Sequence, residues 1–240
     1  MKNIISSFTL PNGSVLKNRI AKSAMSENFG TRNHAPSKGL INTYKVWAKG
    51  NPGLLITGNI MVDLRGGFTE KESMEVIRLL GNEGIDLIEI SGGTYEKPAM
   101  VQGIQKQSTV SREAYFLDYI EKARKLIKTP LLLTGGFRTV KVMEKALEDG
   151  SLDVVGLARP FCLYPYLANQ IFDGSVKQFD TPTPRIGIKF LDKLGGVELP
   201  WYELQIQRIG NGKSPKTDLS GIFAFWFSLK SLFFKSFWKN

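Results

Sequence analysis

Two short stretches combine small residues with a cation in a way that suits an anion. Leu131 to Thr139 reads LLLTGGFRT: an apolar run stops at Gly135 and Gly136, Phe137 and Arg138 follow, and a helical pattern starts at once. Adjacent glycines let backbone N–H groups approach a ligand with no Cβ in the way. The first amides of a following helix would add donors and the positive end of its dipole. One apolar run later, Gly156-Leu157-Ala158-Arg159 repeats the scheme, with an arginine whose planar fork suits phosphate oxygens. Taken alone, each arginine is better explained by a surface carboxylate partner. Together, two successive strand exits of this kind fit a phosphate site built from the last two strands of a (β/α)8 barrel.

The elements around these stretches agree with that placement. Arg19–Ala24, Gly53–Asn59, Ile85–Ser91, Leu131–Thr134 and Leu152–Leu157 are short apolar runs, each followed by a helical pattern. The helices are expected at Leu40–Lys49, from the capping box Thr69-Glu70-Lys71-Glu72 to about Gly84, from Ser111 through REAYFLDYIEKARKLI, and at Val140–Asp149. Strands alternating with helices in this way indicate βαβ units and a parallel sheet. The fold class is therefore α/β with about five strand–helix units, and the two exits above fit the (β/α)8 TIM-barrel type. Glycines follow or end four of the strands, at Gly58, Gly92-Gly93, Gly135-Gly136 and Gly156, where barrels meet their ligands. Singly, each is more often just the glycine that a tight βα turn needs.

A linker by composition, DTPTPR, begins at Asp180 and divides the chain into 1–180 and an extension, 181–240. The extension holds one expected helix, Leu199–Ile209, and an aromatic tail, IFAFWFSLKSLFFKSFWK. In helical register Ala224, Ser228, Ser231, Lys235 and Lys239 of the tail line up as a narrow stripe. Its longest uncharged run, Gly221–Leu229, is too short to cross a bilayer. Three placements suit it: a membrane interface, the outside of the barrel, or a second chain.

Charge and cysteine usage narrow the function classes. The net charge is +10, and residues 181–240 carry nine Lys/Arg against four Asp/Glu. No RNA signature or cysteine–histidine grid accompanies the excess, so nucleic acid is not an expected partner. One cysteine, Cys162, excludes an internal disulfide and fits a reducing compartment. The N-terminus lacks the apolar core of a signal peptide, so the expected location is cytoplasmic, peripheral to a membrane if the tail binds one. No metal site is expected.

Six pieces then carry a resemblance: LPNGSVLKNRIAKSAMSENFG, YKVWAKGNPGLLITGNIMVD, RGGFTEKES, GIDLIEISGGTYEKPAM, LLLTGGFRT and DVVGLARPF. In this order they closely resemble the NADH:flavin oxidoreductases of the Old Yellow Enzyme family, over most of residues 8–175. WYELQIQRIGNGKSP also resembles the closing extension of one branch. The resemblance implies a TIM barrel with FMN at the carboxyl ends of its strands and NAD(P)H as reductant. Hydride would pass to a small-molecule acceptor such as an activated alkene. Carried over, Ser23, Ala24, Met25 and Ser26 would lie against the flavin ring, with Gly58 and Asn59 flanking it. Ser91, Gly92 and Gly93 would border the ribityl chain and phosphate. Gly135, Gly136, Ala158 and Arg159 would bind the phosphate, with Phe137 and Arg138 close by.

The departure from the family lies between NIMVD and LRGGFTEKES, where the family has its third to fifth strands. That stretch supplies the groups that hold the flavin pyrimidine, orient the substrate and donate a proton, so the catalytic residues are unassigned here. The only histidine, His34, matches no catalytic position, and Tyr44, Tyr95 and Tyr115 read as structural. Strand 53–59, helix 69–82 and strand 85–91 still read as one right-handed crossover. Five strands leave two unpaired edges and an uncovered interior. The expected outcomes are an open sheet, a homo-oligomer joined across sheet edges, or poor folding. Against the oxidoreductase stand two other classes, a non-catalytic FMN or phosphate binder and a membrane-associated interaction protein.

Overall fold

A computed structural model of the chain describes residues 3–31, 36–57, 70–91, 117–188 and 197–236. They form two compact units. The first comprises residues 1–25, 50–158 and 167–179; the second comprises 26–49, 159–166 and 180–240. Composition suggests a single cut near residue 180, and the contacts add the segments 26–49 and 159–166 to the C-terminal unit.

The first unit is built on five parallel strands: β3 (Ile20–Lys22), β4 (Leu54–Leu55), β5 (Ile88–Ser91), β6 (Leu131–Thr134) and β7 (Val154–Leu157). Their order across the sheet is β4-β3-β7-β6-β5. All four residues of β6 and of β7 are buried, which is why both read as unbroken apolar runs rather than as alternating ones. Helices α2 (Glu70–Asn82) and α3 (Leu117–Leu126) pack together, and α4 (Val140–Glu148) turns Met143, Ala146 and Leu147 inward. Gly81 permits the first of these contacts, since a Cβ there would overlap Ile127.

The strand order corrects one expectation. Strands 53–59 and 85–91 read as neighbours of a local crossover, yet β4 and β5 are the two edges of the sheet. Instead β3, the first parallel strand, pairs with β7, the last, as Ile20↔Val155 and Ala21↔Gly156. First-to-last pairing is how a barrel closes, but closure takes about eight strands. Among the described residues the sheet is open. Its β4 edge has only two paired residues, and so short an edge is a poor template for a further strand.

The interior is less bare than five strands imply. Before β3 the chain forms an antiparallel hairpin, β1 (Phe8–Thr9) and β2 (Val15–Leu16), around a turn in which Gly13 takes φ 86°. Leu16 is buried with Ala21, Leu132 and Val154, and Phe8 and Leu10 pack against that cluster. The hairpin thus covers the apolar interior near the starts of β6 and β7.

In the second unit, α7 (Glu198–Gly210) packs against α1 (Lys38–Lys49), α5 (Arg159–Leu163) and α8 (Gly221–Ser236). Close approach of α7 to α1 requires Gly210, where a Cβ would overlap the Gly39 carbonyl and lie 2.6 Å from Thr43 Oγ1. Two buried indoles fix the arrangement: Trp47 Nε1 donates to the Phe161 carbonyl at 2.9 Å, and Trp201 Nε1 to that of Leu219 at 2.8 Å. Helix α6 (Leu167–Phe172) returns the chain to the first unit.

Candidate functional site

The glycine pair after β6 has a backbone that only glycine adopts freely. Gly135 has φ 135° and Gly136 φ 81°, both in the region that a Cβ disfavours. The loop is pinned on its far side. Phe137 is buried, and the Arg138 carbonyl accepts from Phe179 N–H at 3.0 Å. Thr139 forms a bridge with Gln178, so residues 177–179 clamp the loop from the side opposite the strand. Arg138 Nη1 donates to the Phe137 carbonyl at 3.0 Å.

Two of the first amides of the following helix are engaged within the chain. Thr139 is its N-cap and accepts from Val142 N–H at 3.4 Å, while Val140 N–H donates to the Lys177 carbonyl at 3.0 Å. Both amides are engaged within the chain, so what the loop can present to a ligand is mainly its glycine backbone. A sequence pattern shows where a helix starts but not which carbonyl returns to meet it.

Gly156 proves to have a task other than turning the chain. In register it lies beside Ala21 of β3 on one side and Thr134 of β6 on the other. Across it, Ser23 Oγ and Thr134 Oγ1 meet at 2.6 Å, and Thr134 Oγ1 donates to Glu89 Oε1 at 2.7 Å. A hydroxyl has one proton; since Thr134 gives its own to the carboxylate, Ser23 is the donor of the first bond. The chain of bonds Ser23→Thr134→Glu89 links β3, β6 and the edge strand β5 across the interior. A Cβ on residue 156 would overlap Thr134 Oγ1 and lie 2.6 Å from Ser23 Oγ. Next to Ser23 in the chain, fully buried Lys22 donates to the Ile56 carbonyl at 3.0 Å. Thr134, Glu89 and Lys22 were not singled out from sequence. The available signal was a polar residue inside an apolar run, IAKS or IDLIEIS, since such residues are buried only with partners.

The strand ends bring several expected residues to one edge of the sheet. Ser23 extends β3, its N–H donating to the Leu157 carbonyl at 3.0 Å, and half-buried Ala24 and Met25 follow. Gly135 and Gly136 continue β6, Ala158 continues β7, and exposed Ser91 ends β5 opposite Thr134. Gly58, Asn59, Gly92 and Gly93 lie outside the described residues, as do His34, Tyr95 and Tyr115. Tyr44 donates to Glu27 Oε1 at 2.6 Å and packs edge-on to Trp47, as a structural tyrosine would. Among the described residues there is no cluster of metal-ligating side chains.

Ser26 and Arg159 belong to the second unit. Ser26 is exposed. Arg159 opens α5, with Nη1 2.6 Å from Glu198 Oε1 and its guanidinium 5.4 Å from the centre of the Tyr202 ring. Desolvation outweighs the arginine's attraction and raises the pKa of the buried Glu198 carboxyl. A raised native pKa means that this group's contribution to stability is complete below the ordinary carboxylate range and is lost as pH rises through the native value. Glu198→Gln, which never ionises, should remove that loss. Urea unfolding from pH 4 upward should show wild type losing stability relative to the variant. Curves that stay parallel would refute the assignment.

Comparison with known proteins places this arrangement. No protein-family model matches the chain. It is 36% identical over 148 residues to the NADH-dependent flavin oxidoreductase iccE of Talaromyces variabilis, a match covering 55% of this chain and 36% of that one. To iliE of Hypocrea jecorina, described in the same words, it is 40% identical over 129 residues, 50% of this chain and 32% of that one. To nadA of Aspergillus parasiticus it is 33% identical over 156 residues, 64% of this chain and 33% of that one. The chain thus spans about a third of the length of these curated relatives. In fold it is similar to 2-naphthoyl-CoA reductase, with TM-score 0.54, 13% identity, and 72% of this chain and 52% of that one covered. A variant of NCR from Zymomonas mobilis, an Old Yellow Enzyme homologue, gives TM-score 0.52, 14% identity, and coverage of 75% and 94%. Over the matched residues the chain is therefore similar in sequence to NADH-dependent flavin oxidoreductases, and the five parallel strands among its described residues are similar in fold to the TIM barrels of Old Yellow Enzyme homologues.

Proposed function

We propose that the chain binds FMN at the carboxyl ends of its parallel strands and acts as an NAD(P)H:acceptor oxidoreductase. The observation that carries this reading is the Gly135–Gly136 backbone, two consecutive glycine-only conformations at the exit of a central buried strand. It fits a phosphate, since backbone amides without Cβ atoms admit close approach of oxygen. The family set adds Ala158 and Arg159 to the phosphate, and Ser23, Ala24, Met25, Ser26, Gly58 and Asn59 to the ring. Ser91, Gly92, Gly93, Phe137 and Arg138 complete it. Ser23 has its hydroxyl engaged with Thr134, so its contribution to the ring would come from its backbone.

Bound FMN supplies the acceptance and release of hydride; the protein supplies orientation and electrostatics. Ser23, Thr134 and Glu89 hold β3, β6 and β5 at fixed spacing, which keeps the strand ends in register for one ligand. Purified protein should be yellow, with flavin absorbance bleached by anaerobic NADPH or NADH and restored by an activated alkene. Protein that is colourless and leaves added FMN fluorescence unquenched would refute the proposal.

A second reading, FMN binding without turnover, is favoured by one observation. Among the described residues no further strand pairs with the edges β4 and β5, whereas the family has further strands there that carry its substrate-orienting groups. Loss of one such donor typically costs roughly 10²–10³ in rate. Flavin that is bound, and reduced only as slowly as free FMN, is the outcome that distinguishes this reading.

A further inference from the structure

The aromatic tail is half docked. Helix α8 packs along α7, and its Gly221 and Ala224 are buried. Gly221 is required there, because a Cβ would overlap the Arg185 carbonyl. Ile222, Phe223 and Trp226 fall on the other side of the helix and remain 47%, 57% and 61% exposed. Three large apolar side chains within two turns, one a tryptophan, form a patch of a kind that soluble surfaces seldom leave open without a partner.

We propose that this face of α8 docks on an anionic lipid surface. Charge selects that occupant. In helical register Lys230 follows Trp226 by about one turn on the same face as Phe223, and no Asp or Glu occurs between Asp218 and Asn240. Of the four Asp and Glu residues in 181–240, Glu198 and Glu203 are buried, so few acidic groups of this extension reach its surface. A second copy would bring the same basic surface against it, whereas anionic headgroups complement it. No helix among the described residues is long and apolar enough to cross a membrane, so α8 would lie along the surface with its indole at headgroup level.

The full chain is mixed with phosphatidylcholine vesicles, with or without phosphatidylserine, and bound protein is measured by flotation. Binding is expected only with phosphatidylserine, with a blue shift of tryptophan emission, because Trp47 and Trp201 are already buried. Phe223→Ser/Trp226→Ser, both exposed positions, should weaken partition by at least ~10-fold with an unchanged circular dichroism spectrum. Lys230→Gln should weaken it ~5-fold, and added salt should weaken it in wild type. Absence of binding at low salt, equal binding to phosphatidylcholine alone, or indifference to the paired serine variant would each overturn the proposal. A concentration-dependent dimer lost in that variant, without vesicle binding, would assign the face to a second copy instead.

Discussion

Gly136→Val should weaken FMN binding by about 100-fold or more. At φ 81° a β-branched residue is strained by roughly 1–3 kcal/mol, and relief of that strain turns the residue 136 amide out of its present direction. The new side chain also stands where oxygen would approach the loop. Gly136→Ala carries the same backbone strain with a smaller intrusion and should fall between. Arg159→Ala should cost a further ~10-fold, since a charge-assisted hydrogen bond is worth about 1.5–3 kcal/mol. Titration by fluorescence quenching with FMN and with riboflavin separates phosphate from ring. Most of the variants' loss should vanish with riboflavin, which has no phosphate. If wild type and the Gly136→Val/Arg159→Ala variant titrate alike with FMN, the phosphate assignment is wrong. Melting curves for each variant distinguish lost binding from lost folding.

Gly156→Val should be the most damaging single change to the fold. Its Cβ would occupy the space in which Ser23 and Thr134 meet, and it would also press on Leu132 Cδ2 at 2.7 Å. The neighbours are backbone-anchored side chains of β3 and β6 within a fully buried layer, so little can move aside. Overpacking of this kind costs typically about 1–3 kcal/mol, and breaking the hydrogen-bond chain to Glu89 adds to it. Against a total stability of roughly 5–15 kcal/mol, the variant should be largely insoluble or melt far below wild type. Gly156→Ala is the measurable form. In a urea-unfolding double-mutant cycle with Thr134→Ala, the two should couple by at least about 1 kcal/mol, because part of the clash disappears with the hydroxyl. Strict additivity would show that Gly156 does not act by making room for that contact.

Much of the molecule is determined by short-range patterning. The runs LLLT and VVGL show no polar–apolar alternation because both faces of β6 and β7 are covered, and a run of that kind already implies a parallel α/β sheet. The helices at 140–148 and 198–210 lie within a residue or two of their expected limits, because glycines and a Thr139 cap mark their ends. The glycine pair at 135–136 was legible as a ligand-facing feature, since its meaning depends on its own backbone.

Other features depend on which segments meet, and local pattern does not carry that information. Both β4 and β5 look like ordinary strands from sequence, and only the pairing of β3 with β7 sends them to opposite edges. Gly156 is read as a turn residue until Ser23 and Thr134 are seen on its two sides. Arg159 acquires Glu198 as a partner through the packing of α7 on α5, a contact between segments with no shared periodicity. In α8 the sequence marks a narrow stripe through Ala224, Ser228 and Ser231, but the stripe does not say which side is covered. Packing on α7 decides it, burying Ala224 and leaving Trp226 outside. Local conformational preference therefore set the elements and the glycine exits; long-range steric fit and desolvation set the sheet order, the hydrogen-bond chain and the exposed face.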